Sequence, residues 1–393
     1  MKPHLYIAIP AMDELEYLPK TLSAIAAQQT DYEFSVYVCV NQPEMWWDDE
    51  QKKVVCENNA QLLAILKNHT LLRITVIDRS SRGYGWRGKD FGVGQARKTI
   101  FEEILKIANQ EDIIISLDAD TIIGERYLQS IGDNFAANPE FPAIAVPYYH
   151  PLNGNDLIDR VLLRYEIYLR NWYINMARIG SPYAFTALGS AIALKVKILK
   201  KIGNITPLKS GEDFYLLQKI RKMTPINTRN EEPVYPSGRI SNRVFFGTGP
   251  AISKGMSGDW KSYPIFHHSL FEPVREAYEK IEKLFTEDVE NSFLLFLQEQ
   301  FNDTHLWEPL RKNHKDLPHF QRAFHEKADG LRIFQFIRQE HEKLKISDEE
   351  SLRNNLKLFN NDDIPDFLGN GFSFDELSVT ELDEVRGILR AIS

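Results

Sequence analysis

The first 150 residues alternate short apolar runs with amphipathic stretches, and this alternation limits the possible folds more than any other feature. Apolar runs of strand length occupy residues 5–9, 34–40, 73–77, 113–117 and 143–146. Helical spacing of apolar residues fills 15–28, 49–67 and 94–109 between them. Strand–helix–strand alternation implies a mostly parallel sheet covered by helices on both faces, an α/β fold. Ligands of such sheets bind beyond the carboxyl ends of the strands. The residues just after each strand are therefore where chemistry is expected.

The character changes further along. Residues 156–173 place Ile158, Val161, Leu162, Tyr165, Tyr168, Leu169 and Trp172 at helical spacing, which favours core packing of these aromatics over stacking on a ligand. From residue 272 onward the pattern is amphipathic helix with no strand signal. Ser347 with Glu350, and Ser378 with Glu381, have the spacing of capping boxes that open two of those helices. The expected division is an α/β domain over 1–270 and a helical region over 271–393.

Composition excludes several classes. The 393 residues carry a formal net charge of -8, which disfavours a nucleic-acid partner because phosphate neutralisation needs a basic surface. The two cysteines, Cys39 and Cys56, supply neither a disulfide framework nor zinc spacing. No apolar stretch approaches the ~18 residues of a membrane span. The opening apolar run is too short for a signal peptide, so the cytoplasm is the default compartment. On that reading the Asn-x-Thr triplets at Asn68, Asn204 and Asn302 carry no information.

Four acidic or glycine-containing segments remain. The run at 113–117 ends in Asp118-Ala119-Asp120. Carboxylates at a buried strand end are costly unless paired, and an oxygen-preferring divalent cation satisfies them; helix capping is the alternative. Ser210-Gly211-Glu212-Asp213 opens an amphipathic helix, where an acid either serves the helix dipole or acts as a general base. Gly92-Val93-Gly94-Gln95-Ala96-Arg97-Lys98 starts a helix with free amides and adjacent positive charge, suited to an anion. Pro10-Ala11-Met12-Asp13-Glu14 turns the first strand into a helix.

Taken in chain order, the four segments resemble family 2 glycosyltransferases of the GT-A superfamily, over roughly residues 4–225. Thr186 to Ala193, containing Gly189 and Ser190, resembles the glycine-bearing strand before that family's second acidic motif. The resemblance implies a GT-A (Rossmann-like) fold and transfer of a hexose-type sugar from a nucleotide-sugar donor. It implies that Asp118 and Asp120 hold Mn²⁺ or Mg²⁺ and the donor diphosphate. Arg97 would sit near the nucleotide, with Pro10 and Glu14 lining the base and ribose. Ala119, Gly189 and Glu212 would border the donor, and Asp213 would be the base of an inverting displacement. His267, beside His268, stands where the family often has a third metal ligand.

The chain also departs from that family. The second strand ends in Asn41-Gln42-Pro43 rather than the usual acid pair, which leaves uridine against guanosine open. Asn41 could still meet a base edge, and Asp78, ending the third strand, is a candidate substitute. An insertion over 44–71 carries Trp46 and Trp47. A basic loop over 79–89 and a glycine-rich run over 243–250 are candidates to cover the donor. The acceptor would be a carbohydrate or a lipid-linked molecule, with peripheral membrane contact and oligomeric state left open. Rivals are a retaining transferase on the same fold, a nucleotidyltransferase and a non-catalytic nucleotide-sugar-binding scaffold. The nucleotidyltransferase is disfavoured because no basic glycine loop follows the first strand.

Overall fold

A computed structural model describes residues 2–88, 91–240, 247–360 and 363–393. The strands are β1 (Leu5–Ala11), β2 (Phe34–Asn41), β3 (Ile74–Arg79), β4 (Ile113–Ser116), β5 (Ile122–Ile123), β6 (Ala143–Ala145), β7 (Ile192–Lys195) and β8 (Val234–Tyr235). The first seven helices are α1 (Leu18–Ala26), α2 (Lys53–Lys67), α3 (Val93–Leu105), α4 (Tyr127–Ala137), α5 (Asp156–Arg178), α6 (Val196–Ile202) and α7 (Glu212–Arg221). Nine further α-helices lie between Thr248 and Ile392 among the described residues.

The chain forms two compact units, Met1–Asn153 with Ala187–Pro250, and Gly154–Thr186 with Ala251–Ser393. Helix α5, which precedes residue 270 in sequence, thus belongs to the unit that contains the C-terminal helices.

The first unit holds a six-stranded sheet in the order β3-β2-β1-β4-β7-β6. Strands β1 to β4 run parallel, and β7 pairs antiparallel with both β4 and β6. β1 and β4 are buried along their whole length, as expected of central strands covered on both faces. The chain moves outward from β1 through β2 to β3, then crosses back by way of α3 to β4 on the other side of β1. That reversal opens a crevice at the carboxyl ends of β1 and β4. Pro10 lies beyond Ala8, the last β1 residue paired with β4, so its missing amide costs no ladder bond on that side.

Helix α1 begins at Leu18 rather than residue 15, because Pro19 sits in its first turn. The expected helix over 49–67 is α2, which begins only at Lys53, and a 3₁₀ turn, Glu44–Asp48, precedes it. The short antiparallel pair β5–β8 had no detectable sequence signal. Two-residue strands are too short to show a period.

The second unit packs helices around aromatic side chains. Trp172 meets Phe266, Phe271 and Phe334, and Tyr165 and Tyr168 meet Tyr263. Buried Glu166 accepts from Arg170 at 2.6 Å and from Arg386 at 3.4 Å, which ties α5 to the last helix, Val379–Ile392. Ser378 and Glu381 form a complete capping box at the start of that helix. Ser347 accepts from the Glu350 amide at 3.1 Å. No helix among the described residues is long and apolar enough to cross a membrane.

Candidate active site

The crevice residues lie in the first unit and are organised by one arginine. Arg97 sits in the second turn of α3 with its side chain only 1% exposed. Its Nη2 donates to Asp118 Oδ1 at 2.7 Å and its Nη1 pairs with Glu212 Oε1. The end of β4, the start of α3 and the start of α7 are thereby joined, although Arg97 and Glu212 are 115 residues apart. A guanidinium suits this role because its planar fork can serve two carboxylates at once. Both carboxylates hold the Arg97 charge in place, against the desolvation that disfavours it.

Gly189 explains itself here. A Cβ at this position would stand 2.7 Å from Arg97 Nη2 and 3.1 Å from Nη1. The absence of a side chain lets the guanidinium lie against the backbone. The Gly189 carbonyl also accepts from Ser116 Oγ at 2.7 Å, linking this loop to β4. Gly189→Ala is expected to destabilise the protein by about 1–3 kcal/mol through overpacking, since Arg97 is pinned at both ends. Urea unfolding read by circular dichroism checks this, and an unchanged midpoint would show that Arg97 can yield.

The Asp118-Ala119-Asp120 turn is fixed from two sides. Thr21 Oγ1 in α1 donates to the Ala119 carbonyl at 2.9 Å, and the Thr121 amide donates to the Asp118 carbonyl at 3.2 Å. Asp120 Oδ2 accepts from Arg239 Nε at 2.7 Å, and Arg239 Nη2 reaches Glu14 Oε1 at 2.5 Å. The Arg239 guanidinium also lies 4.0 Å from the centroid of Tyr17. Sequence reading missed Arg239. It lies in an irregular stretch, Ser237-Gly238-Arg239, and nothing there points to acids 119 and 225 residues away. A cleft of about 170 Å³ opens beside Asp120, with Tyr17, Lys20, Asn153, Tyr235 and Ser237 among its lining residues.

Asp213 follows Glu212 at the start of α7, where Gly211 adopts a φ of 77°. Burial pushes its carboxyl up to about 7, and the neighbouring Glu212 carboxylate acts in the same direction. Arg97 and the Phe214 amide, which donates to Asp213 Oδ1 at 2.7 Å, oppose the shift and only partly offset it.

Other expected residues have local structural partners. Asn41 is buried; its Nδ2 donates to the Ala11 carbonyl at 2.9 Å and its Oδ1 accepts from Trp86 Nε1 at 3.3 Å. Asp78 Oδ1 accepts from the Ser80 and Ser81 amides, both at 2.9 Å. Burial would raise the Asp78 carboxyl, but these bonds outweigh it and leave the group below its usual range. Gly94 serves packing, since a Cβ there would meet the Leu208 carbonyl at 2.1 Å.

The basic loop is clamped by the insertion. Glu44 accepts from the Gly83 and Gly85 amides at 2.7 and 2.8 Å, and Trp47 Nε1 donates to the Ser80 carbonyl at 2.8 Å. The end of that loop at Lys89, and residues 243–246 of the glycine-rich run, lie outside the described residues, while Thr248 opens a helix, Thr248–Met256. His267 lies in the second unit. Its Nδ1 meets Ser269 Oγ at 2.7 Å and its Nε2 faces Asn354 Nδ2 at 3.4 Å, so its surroundings give a third-metal-ligand role no support. Burial pushes this imidazole down to about 4.

The family model "Glycosyltransferase like family 2" matches residues 3–223, more than half of the chain and the whole span that carries these acids. The chain belongs to that family. It is a glycosyltransferase, and its crevice at the β1/β4 switch point is the candidate active site of that activity. No curated protein sequence matches this one significantly. Among solved structures, S. aureus TarS residues 1–349 in complex with UDP-GlcNAc is similar, with 14% identity, a TM-score of 0.44, and 99% of this chain and 91% of that chain covered. The Pyrobaculum calidifontis mannosyltransferase PcManGT in complex with GDP-Man and Mn²⁺ is also similar, with 14% identity, a TM-score of 0.39, and 100% and 86% covered.

Proposed function

We propose that this glycosyltransferase moves a sugar from a UDP- or GDP-sugar to a hydroxyl of a carbohydrate or lipid-linked acceptor, with inversion at the anomeric carbon. The observation that carries the proposal is the meeting of Asp118, Glu212 and Asp213 around buried Arg97. It lies at the switch point where α/β sheets bind ligands.

Asp118 and Asp120 offer an all-oxygen donor set that fits Mn²⁺ or Mg²⁺, ions often held by one or two carboxylates together with substrate phosphates. Among the described residues, no group of three or more His, Cys, Asp or Glu side chains could hold a metal by itself, so such an ion would share its coordination with the donor. When bound it would supply charge stabilisation to the departing diphosphate.

The chain's own residues account for the remaining tasks. Arg97 orients Asp118, and Thr21 fixes the Ala119 turn beneath the diphosphate. Pro10 and Glu14, at the end of β1, line the nucleoside side of the crevice. Asn41 acts there by holding the Trp86 indole rather than by offering its own amide to the base. Asp213 takes the proton of the acceptor hydroxyl, and a carboxyl raised towards neutrality suits that task.

Thermal unfolding with UDP or GDP, with and without Mn²⁺, tests the donor class. A nucleoside diphosphate at 100 times its Kd adds about 2.7 kcal/mol to stability. Failure of both nucleotides to stabilise the protein in Mn²⁺ or Mg²⁺ would overturn the reading. Asp120→Ala should retain the fold and lose metal-dependent donor hydrolysis and transfer; full activity in that variant would remove the metal assignment.

A further inference from the structure

The two arginines of the crevice do different jobs. Arg97 is enclosed in the protein and joins three elements of the fold. Arg239 is on neither a helix nor a strand, and its side chain is 18% exposed. It bridges Asp120 and Glu14, whose side chains are 18% and 6% exposed. Carboxylates this shielded from water need a countercharge. The Asp120 oxygen facing Arg239 is one that a divalent cation would also seek.

We propose that Arg239 is the resident counter-cation of this site. It must leave Asp120 Oδ2 before a divalent cation can take that oxygen, and a bound diphosphate then gives it a new anionic partner. This inference rests on the donor reading above. Two cations cannot share one carboxylate oxygen at full strength. The apparent metal affinity is therefore the intrinsic affinity reduced by the fraction of molecules in which Arg239 is away from Asp120. A diphosphate favours the released arginine, because a planar guanidinium pairs well with phosphate oxygens. Metal and nucleotide then assist each other, and the assistance is reciprocal by linkage. Tyr17 provides a platform along which the guanidinium can shift while keeping a favourable contact, at 4.0 Å in the present position.

The test uses the full chain and Mn²⁺ alone, with free Mn²⁺ read by electron paramagnetic resonance. Arg239→Gln is expected to bind Mn²⁺ about tenfold more tightly than the wild type without nucleotide, within the usual range of site coupling. Arg239→Lys, which keeps the charge but cannot bridge both acids, should fall between the two. UDP should tighten Mn²⁺ binding in the wild type and do so by a smaller factor in Arg239→Gln. Equal or weaker Mn²⁺ binding by a folded Arg239→Gln would overturn the proposal. If that variant does not fold, an Arg239→Lys affinity equal to wild type would overturn it. Absence of UDP and GDP binding by the wild type in Mn²⁺ would instead count against the donor reading, because the nucleotide-free comparison stands apart from it.

Discussion

Asp213→Asn is expected to reduce transfer by about 10²–10⁴-fold while donor binding survives, the range attributable to loss of a general base. The amide preserves size and can still accept from the Phe214 amide, so the start of α7 should hold its shape. The pH profile gives a second readout. Burial and the adjoining Glu212 carboxylate push the Asp213 carboxyl up to about 7, from an ordinary value of 3.8. Only the carboxylate can accept a proton, so wild-type transfer should rise with pH through about 7, and that limb should vanish in the variant.

Stability moves the opposite way. A folded-state pKa above the unfolded one gives stabilisation that is present below about 4 and lost as pH rises to about 7. At pH 8 the wild type bears the full cost of an ionised Asp213 beside Glu212, and the Asn variant does not. Asp213→Asn should thus be at least as stable as wild type at pH 8 in urea unfolding. Persistent transfer with an unaltered pH profile would place the base elsewhere.

Replacement of Arg97 should have the largest effect on the fold. Arg97→Ala leaves Asp118 and Glu212 without their shared countercharge, and Glu212 is only 5% exposed. Breaking a buried pair by removing one partner costs about 3–5 kcal/mol. Unfolding midpoints should fall accordingly, and donor binding should weaken as Asp118 loses its orientation. Arg97→Lys keeps the charge but offers a point ammonium in place of a fork, so it should retain one of the two pairs and show a smaller loss. Wild-type stability in Arg97→Ala would mean that neither carboxylate depends on the arginine.

The frame of the fold is written locally along the chain. β1, β2 and β4 are predominantly apolar runs, so their strand character follows from hydrophobicity, and the intervening helices follow from spacing. The same local logic exposed Asp118, Asp120 and Asp213, because acids at the ends of buried segments stand out against their neighbours. It also exposed the capping box of Ser378 with Glu381 and the simpler Ser347 cap, whose partners are three residues apart.

The partners of those acids come together only on folding. Arg97 was legible as a basic residue near a helix start, but its bond to Glu212 spans 115 residues. Arg239 was not legible at all, because its partners, Asp120 and Glu14, are reached only when the chain beyond β8 returns to β1 and β4. Gly189 looked like a strand glycine and proved to be the space that Arg97 occupies. Asn41 stood out as a candidate for a base edge, and only folding gave it Ala11 and Trp86 as partners. Hydrophobic periodicity is a local property written residue by residue. Charge compensation and close packing are pairwise, and the pairs form only once the chain has folded.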